Sequence, residues 1–132
     1  MVYSFHVRGI PVPQGSKSAR VTNGRAIMFE ANKKHGAWRK TMTTKFMAEF
    51  DEEALRIPLA VTLIFYMPRP RTVTREYPTP KPDLSKLVRA VEDSLVDAKV
   101  IFDDSYIVQL VAMKRYTKDD TPGVFVLLSE MQ

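Results

Sequence analysis

The chain has no cysteine and only two histidines. Without thiols it can build neither a disulfide nor a thiolate metal site. His6 and His35 also lack any metal-ligand spacing, so zinc is not expected, while hard cations bound by oxygen stay open. No apolar run approaches the ~18 residues of a membrane span, and no basic segment followed by an apolar one opens the sequence. A soluble, cytoplasmic protein without membrane association is expected. A phosphate loop is missing too, because Ser16 separates Gly15 from Lys17 and the run G-x-x-x-x-G-K-[ST] never forms. Ser16, Lys17 and Ser18 have no recognisably spaced base and orienting acid around them, which argues against a hydrolase nucleophile. There is no internal repeat and no low-complexity tract.

What is present is one domain's worth of chain, residues 1–132, with 45% hydrophobic content, enough to bury one core. The net charge of +5 means only a modest attraction to polyanions. Its distribution says more. From Val12 to Lys45 eight bases (Lys17, Arg20, Arg25, Lys33, Lys34, Arg39, Lys40 and Lys45) face one acid, Glu30, which suits a phosphate-facing surface. From Val91 to Asp104 the balance reverses, with Glu92, Asp93, Asp97, Asp103 and Asp104 against Lys99 alone.

Periodicity outlines the elements. Val2 to Val12 alternates as a first strand, ended by Pro11 and Pro13, and Gln14 to Gly24 reads as a basic loop. A short strand is expected at Ala26 to Phe29, then a helix from about Asn32 to Phe50 whose apolar stripe is Trp38, Met42, Phe46 and Phe50. Leu59 to Met67 is apolar on both faces, which predicts a central strand. Pro68 to Pro82 holds five of the nine prolines together with Arg69, Arg71, Arg75 and Lys81. It is expected to be an extended basic loop, either gripping phosphates or serving as a spacer. A second helix runs from about Asp83 to Asp97, burying Leu84, Leu87, Val88, Val91 and Leu95, with Asp83 at its N-cap. After a turn at Phe102 to Ser105, two strands follow at Tyr106 to Tyr116 and Gly123 to Ser129, joined by a turn in which Asp119 and Asp120 serve backbone bonding. The order β, β, α, β, α, β, β predicts an α+β domain: one mixed sheet with two helices packed on it.

The acidic stretch carries the chemistry. Asp83 opens the second helix, Asp103 and Asp104 precede the next strand, and Ser85, Arg89 and Asp93 share one helix face. Clustered carboxylates in a basic protein suit a divalent cation, and magnesium binds through one or two carboxylates plus substrate phosphate. That is phosphodiester chemistry, with a nearby cation such as Arg89 to offset charge in the transition state. Spacing alone also allows a purely structural account, in which Asp83 caps the helix, Asp93 pairs with Arg89, and Asp103 and Asp104 shape a turn.

The same residues resemble the RusA-type endodeoxyribonucleases, Holliday junction resolvases common in phages and prophages. That family carries P-D-[IL]-D-N-L-x-K, a helix with D-x-L, then D-D-x-x-[VI]. Here stand Pro82-Asp83-Leu84-Ser85-Lys86-Leu87-Val88-Arg89, then Asp93-Ser94-Leu95, then Asp103-Asp104-Ser105-Tyr106-Ile107, and Gly9 to Lys17 is similar to the family's N-terminal strand and loop. The resemblance implies a magnesium-dependent homodimer that binds a four-way junction and cuts symmetrically placed strands. It implies Asp83, Asp104 and Arg89 as catalytic residues, Arg89 standing for the motif's lysine, and Asp83, Asp93, Asp103 and Asp104 as Mg2+ ligands. DNA contacts are expected from Lys17, Arg20, Lys33, Lys34, Arg69, Arg71, Arg75, Lys81 and Lys86. Two positions depart from the pattern: Ser85 replaces a carboxylate and Lys86 an asparagine. The alternative is therefore a non-catalytic DNA-binding module of the same fold with a degraded metal site.

Overall fold

The computed structural model describes residues 1–14 and 24–132, with side chains described for 1–14 and 33–132. Its elements are β1 (Val2–Arg8), α1 (Gly24–Glu49), β2 (Leu59–Met67), α2 (Leu84–Asp97), a 3-10 turn (Asp104–Tyr106), β3 (Ile107–Tyr116) and β4 (Gly123–Glu130). The four strands form one mixed sheet in the order β1-β4-β2-β3. β4 pairs antiparallel with both β1 and β2, while β2 and β3 run parallel and are joined through α2, as a parallel pair needs a long crossover. With two helices on this sheet the protein is a small α+β fold, and β2 is internal as its two-sided apolarity predicts.

Both helices cover the same face. The buried apolar side chains of the strands share one face: Phe5 and Val7 on β1, alternate residues Leu59 to Met67 on β2, Val124, Val126 and Leu128 on β4, and Tyr116 on β3. Against them α1 lays Trp38, Met42, Phe46 and Phe50, and α2 lays Leu87, Val91 and Leu95. Phe5 meets Phe46 edge to face at 5.1 Å between ring centres, and Tyr3 meets Phe50 at 5.3 Å, geometry that adds to area burial. The α1 stripe is the one its four-residue spacing predicts. On α2, Leu84 is only half-buried, and Ala90 and Ser94 join the buried face instead; the Ser94 hydroxyl donates back to Ala90 O at 2.8 Å.

Two expectations need correction. The strand expected at Ala26 to Phe29 is part of α1, which starts at Gly24. Arg25, Ala26, Met28, Glu30 and Ala31 are good helix formers, and no proline interrupts the run into the apolar stripe. The first strand also ends at Arg8 rather than Val12. Gly9 turns the chain with φ +140°, and its N–H donates to Pro122 O at 3.0 Å. A Cβ at Gly9 would stand 2.9 Å from Cζ3 of Trp38, so only glycine lets the chain pass this close to the indole.

Candidate active site along the second helix

α2 starts where the proline loop returns to the sheet, and Lys114 holds that junction. Its Nζ donates to Pro82 O at 2.9 Å and to Pro80 O at 3.2 Å, immediately before Asp83. Sequence reasoning missed Lys114. The signal was available: it shares the helix-covered face with its partner Phe65, an odd place for a lysine unless its head group finds acceptors.

Asp83 occupies the N-cap position with extended backbone (φ −66°, ψ 135°), yet its carboxylate makes no capping hydrogen bond. Its one ion-pair partner among the described residues is Lys86, at 3.7 Å and exposed. The carboxylate therefore faces solvent beside the positive end of the helix dipole, available to a ligand. Asp103 is committed differently. It caps the 3-10 turn by accepting from Ser105 N at 3.1 Å, and hydrogen bonds from Ser105 hold its pKa below the usual carboxylate value. For Asp103 the turn-forming role is real.

The 3-10 turn that carries Asp104 touches α2, and the Asp104 charge reaches Glu92. Burial pushes the Glu92 carboxyl up from 4.5, and the negative charges of Asp104 and then Asp93 add to the rise while Arg89 opposes it. Asp93 lies 3.9 Å from the Arg89 Nε, a loose pair in which the arginine stays well exposed. From the other side α1 contributes His35, whose pKa is lowered by burial and by the Arg39 charge, with Asp93 pulling the other way. Arg39 itself bridges to Asp97. Glu92, His35 and Arg39 were not singled out as site residues from the sequence, although Glu92 lies in the acidic run.

The carboxylates are thus strung along the helix rather than gathered. Glu92 is nine residues beyond Asp83, roughly 13 Å along a helix axis at 1.5 Å per residue. Among the described residues no three His, Cys, Asp or Glu side chains converge closely enough to hold an ion between them. Magnesium commonly binds by one or two carboxylates and completes its shell with water and phosphate. The uncapped Asp83 carboxylate meets that requirement by itself, and Asp104 with Glu92 could meet it only as a separate site.

The expected DNA contacts divide into three groups. Lys17 and Arg20 lie outside the described residues. The chain leaves toward them from Gln14, whose N–H donates to Lys86 O at 3.1 Å, so it departs beside the first turn of α2. Lys33, Lys34, Arg71 and Lys81 are exposed, and Lys86 is half-buried beside Asp83. Arg69 and Arg75 instead build the loop. The Arg69 guanidinium donates to Val73 O and Arg75 O, both at 3.3 Å, and Arg75 Nε donates to the Tyr116 hydroxyl at 3.1 Å. Both guanidinium groups lie over the Tyr116 ring, at 5.1 and 6.0 Å. The proline loop is folded down onto β3 by these bonds and by Lys114, and it presents Arg71 and Lys81 outward.

No helix among the described residues is long and apolar enough to cross a membrane. The curated proteins offer no match to this chain. The family model described as endodeoxyribonuclease RusA matches residues 9–129, which takes in both helices, β2 and β3, the proline loop and the acidic turn. On that match, which spans nearly the whole chain, this protein belongs to the RusA endodeoxyribonuclease family.

Proposed function

We propose that the chain is a magnesium-dependent endonuclease that cuts four-way DNA junctions as a homodimer, in the cytoplasm, with residues 1–132 forming its single domain. The family match carries this reading; the uncapped Asp83 carboxylate and the Glu92 and Asp104 pair support it. Asp83 is proposed to hold a cation through its single carboxylate, completed by water and phosphate; Asp104 and Asp93, toward the other end of α2, would serve a separate cation, with Asp103 contributing only if it gives up Ser105. Magnesium, when bound there, supplies Lewis-acid polarisation of the scissile phosphate.

The rest is the work of this chain's side chains. Arg89, exposed and only loosely held by Asp93, is free to swing to a phosphate oxygen and offset charge in the transition state. It brings charge without the titratable ammonium that a lysine would supply. Arg71, Lys81, Lys33 and Lys34 supply exposed phosphate contacts, Lys86 adds one at the start of α2, and Lys17 and Arg20 are proposed as further phosphate contacts. A homodimer follows from the substrate: cutting a two-fold junction without leaving a flap takes two symmetry-related cuts, and each chain carries one acidic strip.

The second reading, a DNA-binding module without catalysis, is favoured by Ser85 and by the absence of a three-carboxylate group among the described residues. Incubating the protein with a synthetic four-way junction, with and without magnesium, separates the two. Product that appears only with magnesium supports the nuclease, and salt-sensitive binding without product supports the module.

A further inference from the structure

The chain between α1 and β2 is tied to the turn that follows α2. Leu55 N donates to Val100 O at 2.9 Å and Phe102 N donates to Leu55 O at 3.0 Å, so that Leu55 and Ile101 form a parallel bridge. Leu55 and Ile57 pack against the core, and Ile101 is fully buried. Successive side chains of extended chain point to opposite faces, so the neighbours of this bridge, Arg56 and Phe102, both turn outward on the same side. There the Arg56 guanidinium lies over the Phe102 ring, 3.9 Å from its centre. Tyr106 braces the ring edge to face, at 6.2 Å between ring centres and an angle of 78°. Phe102 remains 48% exposed, and Arg56 is exposed as well. Burial therefore does not account for the stack, and the backbone bonds join the two segments without it.

We infer that Arg56, held flat on Phe102, binds a backbone phosphate of the DNA strand that reaches Asp104. The inference rests on the proposal above that Asp104 serves a cation in a DNA nuclease. Asp104 is two residues from Phe102, at most ~7 Å between Cα atoms. A strand that comes this close passes the acidic run from Val91 to Asp104, which repels it unless a cation stands there. Of the arginines that meet this run, Arg39 is spent on Asp97 and Arg89 leans on Asp93. Arg56 is not spent: among the described residues no carboxylate lies within ion-pair distance of it. Stacking uses the flat face of the guanidinium and leaves its N–H donors, which lie in the plane, for the oxygens of a phosphate. It also holds a long side chain in place before DNA arrives, which lowers the cost of ordering it on binding. Lys99, exposed in the same turn, has no such platform among the described residues.

Binding of the full chain to a fluorescent four-way junction, followed by anisotropy without magnesium over a range of salt, tests this. Arg56→Ala is expected to weaken binding about 10-fold and to lower the salt slope by about 1. Lys99→Ala removes the same charge from the same turn and is expected to cost less than about 3-fold, because a charge without a fixed contact is screened. Phe102→Leu keeps the cation and removes its platform. A loss of about 3-fold is expected from it in the wild type, and none when Arg56 is already alanine. Wild-type binding in Arg56→Ala, an equal loss in Lys99→Ala, or a Phe102→Leu loss that persists in full beside Arg56→Ala each overturns the inference. If Arg56→Ala misfolds by circular dichroism, Arg56→Lys decides, since it keeps the charge but not the planar fork. Weaker binding with the slope retained supports the stacked contact, and wild-type affinity overturns it. A wild type that binds the junction but never cuts it in magnesium counts against the nuclease reading alone and leaves the binding results standing. Cutting by a wild type whose Arg56→Ala variant binds and cuts equally well counts against this inference alone.

Discussion

Replacing Lys114 by methionine keeps the aliphatic stem against the sheet but removes the ammonium that ties the proline loop to β3. Two hydrogen bonds are lost, to Pro82 O at 2.9 Å and to Pro80 O at 3.2 Å. Bonds to a charged group contribute about 1.5–3 kcal/mol each. The longer one is solvent-exposed and its carbonyl recovers water, so the loss is nearer 2 kcal/mol than the sum. For a domain of this size that corresponds to a fall in Tm of roughly 6–10 °C. The functional effect should fall on kcat more than on DNA affinity, because the ammonium is spent on backbone carbonyls and not on the duplex. Misplacing Asp83 by an ångström is expected to cost about 10- to 100-fold in kcat on the proposed mechanism. Thermal denaturation and single-turnover cleavage of a junction measure the two effects, and Lys114→Arg, which keeps a donor, should recover part of both. A methionine variant with wild-type Tm and wild-type cleavage would refute the role given to Lys114.

Glu92→Gln should stabilise the fold near neutral pH by no more than about 1 kcal/mol, given the screening of a half-exposed pair. The sign follows from its raised pKa: the fold prefers the neutral acid, so the penalty is absent below about 4.5 and grows as pH rises through the raised value. The difference between variant and wild type in a Tm series should therefore vanish in acid. Magnesium should raise the wild-type Tm more than the variant's; equal shifts would remove Glu92 and Asp104 from the cation's surroundings. Gly9→Ala combines a φ of +140° with a Cβ 2.9 Å from the Trp38 ring and should cost about 2–3 kcal/mol in urea denaturation; a change below about 0.5 kcal/mol would contradict the packing described. Arg71→Ala with Lys81→Ala should reduce the salt slope of DNA binding by up to ~2 while leaving Tm unchanged. An unchanged slope would assign the exposed loop cations to another task.

The elements with strong periodicity were legible in the sequence, and the places where the reading failed have physical reasons. The α1 stripe from Trp38 to Phe50 and the central strand Leu59–Met67 follow directly from spacing and two-sided apolarity. The segment Ala26 to Phe29 is too short and too apolar to separate strand from helix by period, and continuity with the following helix decides it. The proline loop was expected to present all its cations. Arg69 and Arg75 are instead drawn inward by Tyr116 and by loop carbonyls, partners that are up to 47 residues away in sequence. The same limit hid Lys114. In the acidic stretch, the residue types and their order could be read, but not their division of labour. The geometry gives Asp103 to the turn and leaves Asp83 uncapped, and the Asp104 charge bears on Glu92.

The central claim is that Asp83 is a catalytic carboxylate rather than a helix cap, and Asp83→Asn tests it most directly. Asparagine is as good an N-cap as aspartate, and the native carboxylate makes no capping bond, so the fold should hold with Tm within a few degrees. Cleavage of a four-way junction in magnesium should fall by roughly two or more orders of magnitude while junction binding survives. Wild-type cleavage rates in a folded Asp83→Asn protein would contradict the account.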